Sequence, residues 1–252
     1  MTHIALAPSA PFICSESLLG WTAETAEKYN LGLQIHVSET LQEVEESKVK
    51  NGKPPLEYLD SLGFLSRPVS AVHCVHITES EIDLARERSV IPVYNPKSNM
   101  KLGSGIAPVR KMLDAGIEVA LGTDGPASND IIDMFEEMRM GAMIQRAEEE
   151  NSSVISAADM FCMATKAGAE CSGIDAGVIV ENKLADIVIL DRSSVHTFST
   201  EANILSWLVF CVKSSNVESV IINGSLVMKN RIISGIDEQK ILSEIDKIAH
   251  KF

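Results

Sequence analysis

The stretch LQIHVSE, residues 33–39, ends an apolar run on His36 and sets Glu39 three residues later. Polar residues stand where four other apolar runs stop: Ser9, His73, Asn95 and Asp124. Imidazole and carboxylate groups are ligands for a divalent cation, a carboxyl can carry a proton, and a second imidazole can act on a bound water. Together these types are the kit of a mononuclear hydrolytic site. Each residue alone has a plainer reading. His36 reads as a hydrogen-bonded structural histidine, and Glu39 as a carboxylate favouring the start of a helix. His73 and His76 read as parts of a turn, and Asp124 as an Asx-turn with Gly125. Their shared placement is what points to a site. His3, His196 and His250 lack that placement and read as structural or surface residues.

The elements that must position these residues alternate between strand and helix. Residues 4–7 predict a strand, and Ser15 caps a helix over 16–29. A strand over 33–37 is followed by a charged surface helix that stops at Asn51-Gly52. Pro54-Pro55 opens a short helix to Gly63, and a strand covers 69–74. Thr78 and Glu81 form a capping box that opens a helix over 79–88. A strand over 90–94 leads into NPKSNMKLGSG, residues 95–105, read as a long Gly- and Asn-rich loop without a phosphate-binding template. Helices over 107–115, 131–149 and 156–171 and a strand over 117–122 complete this part. The Met-rich segment at 134–143 predicts a core-facing stripe.

Five strands alternating with helices require a parallel sheet with helical crossovers. The polar residues all fall at strand carboxyl ends, the rim where β/α barrels and open α/β sheets assemble their sites. Beyond residue 175 the texture changes. ADIVIL, VESVIING, SLVMKN and RIIS are short β-rich runs with Asn-Gly and Lys-Asn punctuation, and a helix over 237–250 closes the chain. The expected division is therefore 1–175 and 176–252.

Composition narrows the function. The 252 residues carry 22 Lys and Arg against 35 Asp and Glu, a formal charge of −13 that disfavours nucleic acid and anionic membranes as partners. The five cysteines are odd in number and lack CxxC spacing, which suits reduced thiols in a cytoplasm. No apolar run reaches the roughly 18 residues of a membrane span, and Met1-Thr2-His3 does not open a signal peptide. A cytoplasmic protein is expected.

Six segments carry a family resemblance: HVSE (36–39), AVHCVH (71–76), NPKSNMKLGSGIAPV (95–109), LGTDGPASN (121–129), DMFEEMR (133–139) and KLADIVILD (183–191). In that order, over nearly the whole chain, they resemble the amidohydrolase superfamily, and within it the 5-methylthioadenosine/S-adenosylhomocysteine deaminases and their triazine-hydrolase relatives. The resemblance implies hydrolytic deamination of an adenine-type nucleoside by one divalent metal ion, zinc first and iron as the alternative. It implies metal ligation by His36 and Asp124. Glu39 would contact the purine ring and protonate its nitrogen, His73 would hydrogen-bond the metal-bound water, and Asp124 would also relay a proton to the departing ammonia. Other C–N or C–Cl hydrolysis of a nitrogen heterocycle, or a non-catalytic remnant or split-enzyme partner, are the alternative readings.

Two departures accompany the resemblance. The family's first strand carries an HxH pair that completes the metal site, and no HxH occurs here. Two ligands fall short of the three protein ligands usual at a catalytic zinc. The chain is therefore expected to begin at the fourth strand of a TIM (β/α)8 barrel, to hold about five β/α units, strands 4–8, with a C-terminal fragment of a small β-sandwich, and to be inactive or nearly so alone. Exposed sheet edges predict self-association or a complementing N-terminal chain. The second departure is Ser9, which stands where the family has a substrate-contacting histidine.

Overall fold

A computed structural model describes residues 3–193 and 203–249; His196 and His250 lie outside them. Five parallel strands form one sheet in chain order: β1 (Ala5–Leu6), β2 (Gly32–Val37), β3 (Val69–His73), β4 (Ile91–Tyr94) and β5 (Ala120–Leu121). The connections are helical, as parallel neighbours demand. They are α1 (Glu16–Tyr29), α2 (Leu41–Asn51), α3 (Pro55–Ser61), α4 (Glu79–Glu87), α5 (Pro96–Leu102) and α6 (Val109–Asp114). After β5 come α7 (Pro126–Asn129), α8 (Met134–Glu148), α9 (Ala157–Ala164) and α10 (Lys166–Cys171).

Local chemistry sets these boundaries. Ser15 and Thr40 accept N–H bonds from the first turns of α1 and α2, and Thr78 with Glu81 closes the expected capping box of α4. Asn30 and Gly52 end α1 and α2 in the left-handed conformation.

Strand β2 shows how the sheet orients its side chains. Leu33, Ile35 and Val37 are buried, whereas Gly32 and Gln34 are exposed and His36 is half-buried. The period of two gives one covered face and one open face. The covered face joins Val69 and Ala71 of β3 and the helix residues Leu19, Leu56, Leu59 and Phe64 in a single core. Each such large side chain contributes about 1.5–3 kcal/mol on burial.

The second sheet is antiparallel, in the order β6 (Ile187–Leu190), β7 (Val217–Ile222), β8 (Ser225–Lys229) and β9 (Ile232–Ile233). Helix α11 (Ile204–Phe210) precedes β7, and α12 (Glu238–Ala249) follows β9. Helix α11 returns to the first sheet's helices, packing on α8 and α9 with Val209 in the shared core. Helix α12 has no buried residue.

Four sequence expectations need correction. Residues 96–102 are helix rather than loop, because Pro96 at the first helical position and Gly103 in the left-handed C-cap bracket one compact turn pair. The helix expected over 156–171 is two, broken at Thr165, whose φ of −124° and ψ of −85° leave the helical region. The strand over 117–122 pairs only at Ala120–Leu121. The methionine stripe is partial: Met138 is buried and Met143 is 54% exposed.

Candidate active site

His36 is the penultimate residue of β2, before Val37, on the open face of the sheet. The Ser9 carbonyl accepts two bonds from it, from the backbone N–H at 3.0 Å and from Nδ1–H at 2.6 Å. Nδ1 therefore holds the proton of the neutral ring, and Nε2 is left with its lone pair.

His73 is buried, and its placement depends on an unusual backbone. The register pairs His36 with Val72 and Val37 with His73, so simple alternation would turn the His73 side chain away from His36. A φ of 76° at His73, in the left-handed region, redirects it. Its ring stacks on His36 with centroids 5.4 Å apart and 28° between planes. Ser38 and Asp124, with φ of 52° and 60°, share the left-handed conformation at two other strand ends. Backbone strain of this kind persists where surrounding contacts over-determine it and concentrates at functional sites.

Glu39 faces His73, with Oε2 at 3.7 Å from Nε2, and its Oε1 accepts the Ser104 hydroxyl at 3.2 Å. His76 Nε2–H donates to the Ser104 carbonyl at 2.8 Å, which ties the two loops together. The plain reading of His76 as a turn residue therefore gains a structural role. Beneath Glu39 lies Glu43, whose carboxylate accepts the N–H groups of Ser38 at 3.0 Å and Glu39 at 2.9 Å. Burial pushes the Glu43 carboxyl up, only partly offset by those N–H bonds.

Asp124 is held by three donors. Ser98 Oγ–H and Ser128 Oγ–H reach Oδ2 at 2.5 and 2.8 Å, and Gly125 N–H reaches Oδ1 at 2.7 Å. Burial alone would raise its pKa. The two hydroxyls, the N–H and the nearby His73 imidazole outweigh that effect and hold the carboxyl below its ordinary range.

Behind this rim sits a fully buried carboxylate, Glu137 of α8. Its Oε2 accepts Lys97 N–H at 3.2 Å and its Oε1 accepts Asn129 Nδ2–H at 2.6 Å. Asn129 also donates to the Thr123 carbonyl at 2.5 Å, next to Asp124. Glu137 thus joins the segments that follow β4 and β5.

Sequence reasoning missed these supports, Glu43, Ser98, Asn99, Ser104, Ser128, Asn129 and Glu137. Most lie inside the quoted motifs, so position in NPKSN, LGTDGPASN and DMFEEMR was their only signal. Asn95, flagged at a strand end, is 1% exposed, and neither of its amide atoms has a partner among the described residues. Ser9 contributes its backbone carbonyl, which no side-chain reading could show.

The donor types suit a divalent cation in part. A ligand histidine with its second nitrogen fixed by a carbonyl, and a carboxylate braced by hydroxyls, are the usual outer-sphere arrangement. Yet among the described residues no group of three His, Cys, Asp or Glu side chains is arranged to hold a metal ion. His36, His73 and Glu39 are brought together directly; Asp124 enters through the field of His73. Among the described residues no helix is long and apolar enough to cross a membrane.

Comparison with known proteins places this geometry in context. A family model described as the amidohydrolase family matches residues 1–227. The chain is 44% identical over 248 residues to the 5-methylthioadenosine/S-adenosylhomocysteine deaminase of Thermoanaerobacter pseudethanolicus, covering 98% of this chain and 57% of that protein. An adenosine deaminase from Xanthomonas campestris with bound zinc superposes with a TM-score of 0.93 at 33% identity, over 98% of this chain and 56% of that one. Atrazine chlorohydrolase from Arthrobacter aurescens TC1 complexed with zinc gives 0.89 at 29% identity, over 96% and 53%. The chain spans about half the length of the relatives it matches.

Proposed function

The chain belongs to the amidohydrolase family, and from that premise we propose that it contributes to metal-dependent hydrolytic deamination of an adenine-type nucleoside, of the methylthioadenosine or S-adenosylhomocysteine kind. The observation that carries this reading is His73, whose Nε2 faces Glu39 at 3.7 Å while its ring stacks on His36. His36 Nε2 and Asp124 would hold the cation, with zinc favoured by the zinc-bound deaminase of similar fold. When bound, a divalent cation would supply a water of pKa about 7 and charge stabilisation.

The chain's own residues then divide the proton work. Hydrolysis forms a C–O bond at the amine-bearing ring carbon and breaks its C–N bond. Glu39 donates a proton to the adjacent ring nitrogen and takes back the second proton of the added water as the ring carbonyl forms, while His73 Nε2 accepts a hydrogen bond from the attacking water and so aims the oxygen lone pair at the ring carbon. Asp124 takes up a proton and passes it to the amine, which leaves as ammonia.

The five-stranded sheet corresponds to strands 4–8 of a barrel, and the ligands beyond His36 and Asp124 would come from outside these 252 residues. Exposed apolar surface on α12 and the second sheet favours self-association or cover by a further segment or chain. The division near residue 175 follows the change from parallel to antiparallel pairing. Five free cysteines favour the cytoplasm.

A second reading, C–Cl or other C–N hydrolysis of a triazine-like ring, is favoured by the atrazine chlorohydrolase superposition and by the serine at position 9. Both are tested by measuring ammonia and chloride release from methylthioadenosine, S-adenosylhomocysteine, adenosine and atrazine with zinc present. The chain is assayed alone and mixed with the unmatched part of the Thermoanaerobacter deaminase. Ammonia from the nucleosides in the mixture, lost in Glu39→Gln and Asp124→Asn, is the expected result. Chloride from atrazine without ammonia supports the second reading, and no turnover in any arm sinks both.

A further inference from the structure

Helix α5 follows the strand that lies between β3 and β5, and two adjacent residues on it reach the ends of both neighbours. Asn99 Oδ1 accepts His73 Nδ1–H at 2.8 Å, and Ser98 Oγ–H donates to Asp124 Oδ2 at 2.5 Å. Consecutive helical residues point about 100° apart, at 3.6 residues per turn, so one short helix can serve both neighbouring strands. From this we infer that Ser98 and Asn99 are paired positioning residues, which fix the tautomer of His73 and the orientation of Asp124. The inference rests on the reaction proposed above for those two groups.

The His73 contact has a specific chemical consequence. Because Asn99 presents an acceptor to Nδ1–H, the neutral ring carries its lone pair on Nε2, the nitrogen that faces Glu39. A tautomer with the proton on Nε2 could not accept a hydrogen bond from water at that nitrogen. Asn99 is 1% exposed and its Nδ2 has no partner among the described residues. Burying an unpaired amide nitrogen carries a cost that a leucine of similar volume would avoid, so packing does not account for this residue, whereas its Oδ1 contact does.

Both prongs need a rigid base, and α5 has one. Pro96 starts it, and Gly103 ends it at a φ of 72°. Lys97 is held three times, by N–H to Glu137 Oε2 and by Nζ to Glu136 Oε2 at 2.5 Å and to the Ile131 carbonyl at 3.3 Å. Ser98 is fully buried. His73 and Asp124 are themselves left-handed residues, φ 76° and 60°, so each tie restrains a side chain whose backbone does not settle its direction by ordinary strand geometry.

The test reads the tautomer directly. Long-range 1H–15N spectra of the 15N-labelled chain, at one fixed pH above the ordinary imidazole range, should show His73 as the Nδ1–H form. Asn99→Leu should convert it to the Nε2–H form or a mixture, and Asn99→Asp, which keeps an acceptor, should restore Nδ1–H. Should Asn99→Leu fail to fold, Asn99→Ala, which also removes the acceptor, gives the same reading. In the complemented deaminase assay, Asn99→Leu and Ser98→Ala should lower kcat about 10–100-fold, the range for outer-sphere partners, with KM unchanged. Ser98→Thr should recover most of that loss. His73 remaining wholly Nδ1–H in folded Asn99→Leu would overturn the inference, as would a loss confined to KM. A tautomer change in a chain that shows no deamination even when complemented would uphold the positioning and discard the reaction instead.

Discussion

The imidazoles of His36 and His73 lie face to face, 5.4 Å between centroids, and each has its Nδ1–H committed to a fixed acceptor, the Ser9 carbonyl and Asn99 Oδ1. Two Nε2 lone pairs are thereby set at one end of adjacent parallel strands. A cation that uses His36 Nε2 and Asp124 binds the folded chain and not the unfolded one, so it stabilises by linkage. Zinc in excess is expected to raise the thermal midpoint of the chain. His36→Ala and Asp124→Ala should each abolish that rise, measured by calorimetry; a rise that survives in both variants removes them as ligands.

Glu81 of α4 offers a pH test away from the site. It is fully buried, and its oxygens accept Leu56 N–H at 2.8 Å and Thr78 N–H at 2.9 Å. Burial pushes its carboxyl up despite those bonds. A raised folded pKa means that the folded chain holds the proton more tightly. The contribution is complete below the ordinary glutamate range and is lost as pH rises through the folded value. Urea denaturation across that window should show stability falling with pH, and Glu81→Gln should flatten the slope. Glu81→Leu should cost about 1–3 kcal/mol for each N–H left unpartnered. An unchanged slope in Glu81→Gln would contradict this assignment.

Gly122 is required by contact rather than by backbone conformation. A Cβ there would lie 2.4 Å from Asn95 Oδ1 and 2.8 Å from Val93 Cγ1. Asn95 is buried, so its amide has little room to retreat. Gly122→Ala should destabilise by about 1–3 kcal/mol, the usual cost of overpacking. Wild-type stability in urea would show that the neighbours yield freely.

The apolar face of α12 tests association. Ile241, Leu242, Ile245 and Ile248 are each 47–58% exposed on one helical stripe. Sedimentation equilibrium at micromolar concentration should show association of the chain, and a double substitution, Leu242→Glu with Ile245→Glu, should reduce it. A monomer under those conditions would remove the self-association reading.

Much of the scaffold was legible because local signals agreed with the fold. Ser15, Thr78 with Glu81, and Asn51-Gly52 marked helix ends where they occur, since caps act through neighbouring residues alone. Helix α5 was not legible, because Asn95, Pro96, Gly103 and Gly105 look like loop composition, although Pro96 and Gly103 are in fact its two boundaries. Helix α11 was missed because ILSWLVF lacks a polar face, and its burial against α8 and α9 is a tertiary fact. At the site, His36, Glu39, His73 and Asp124 were visible as strand-end residues. The backbone φ that turns His73 toward His36 was not, because no residue type announces it.

Arg139 is bonded to the carbonyls of Phe210, at 3.1 Å, and of Val212. It sits on α8 two residues from Glu137, whose carboxylate secures the segments bearing Ser98 and Asp124. Excision of everything past residue 175 would thus strip the outer wall from the strut on which Ser98 and Asp124 lean. Anyone trimming the molecule to its parallel sheet would be dismantling the rim of strand ends from behind.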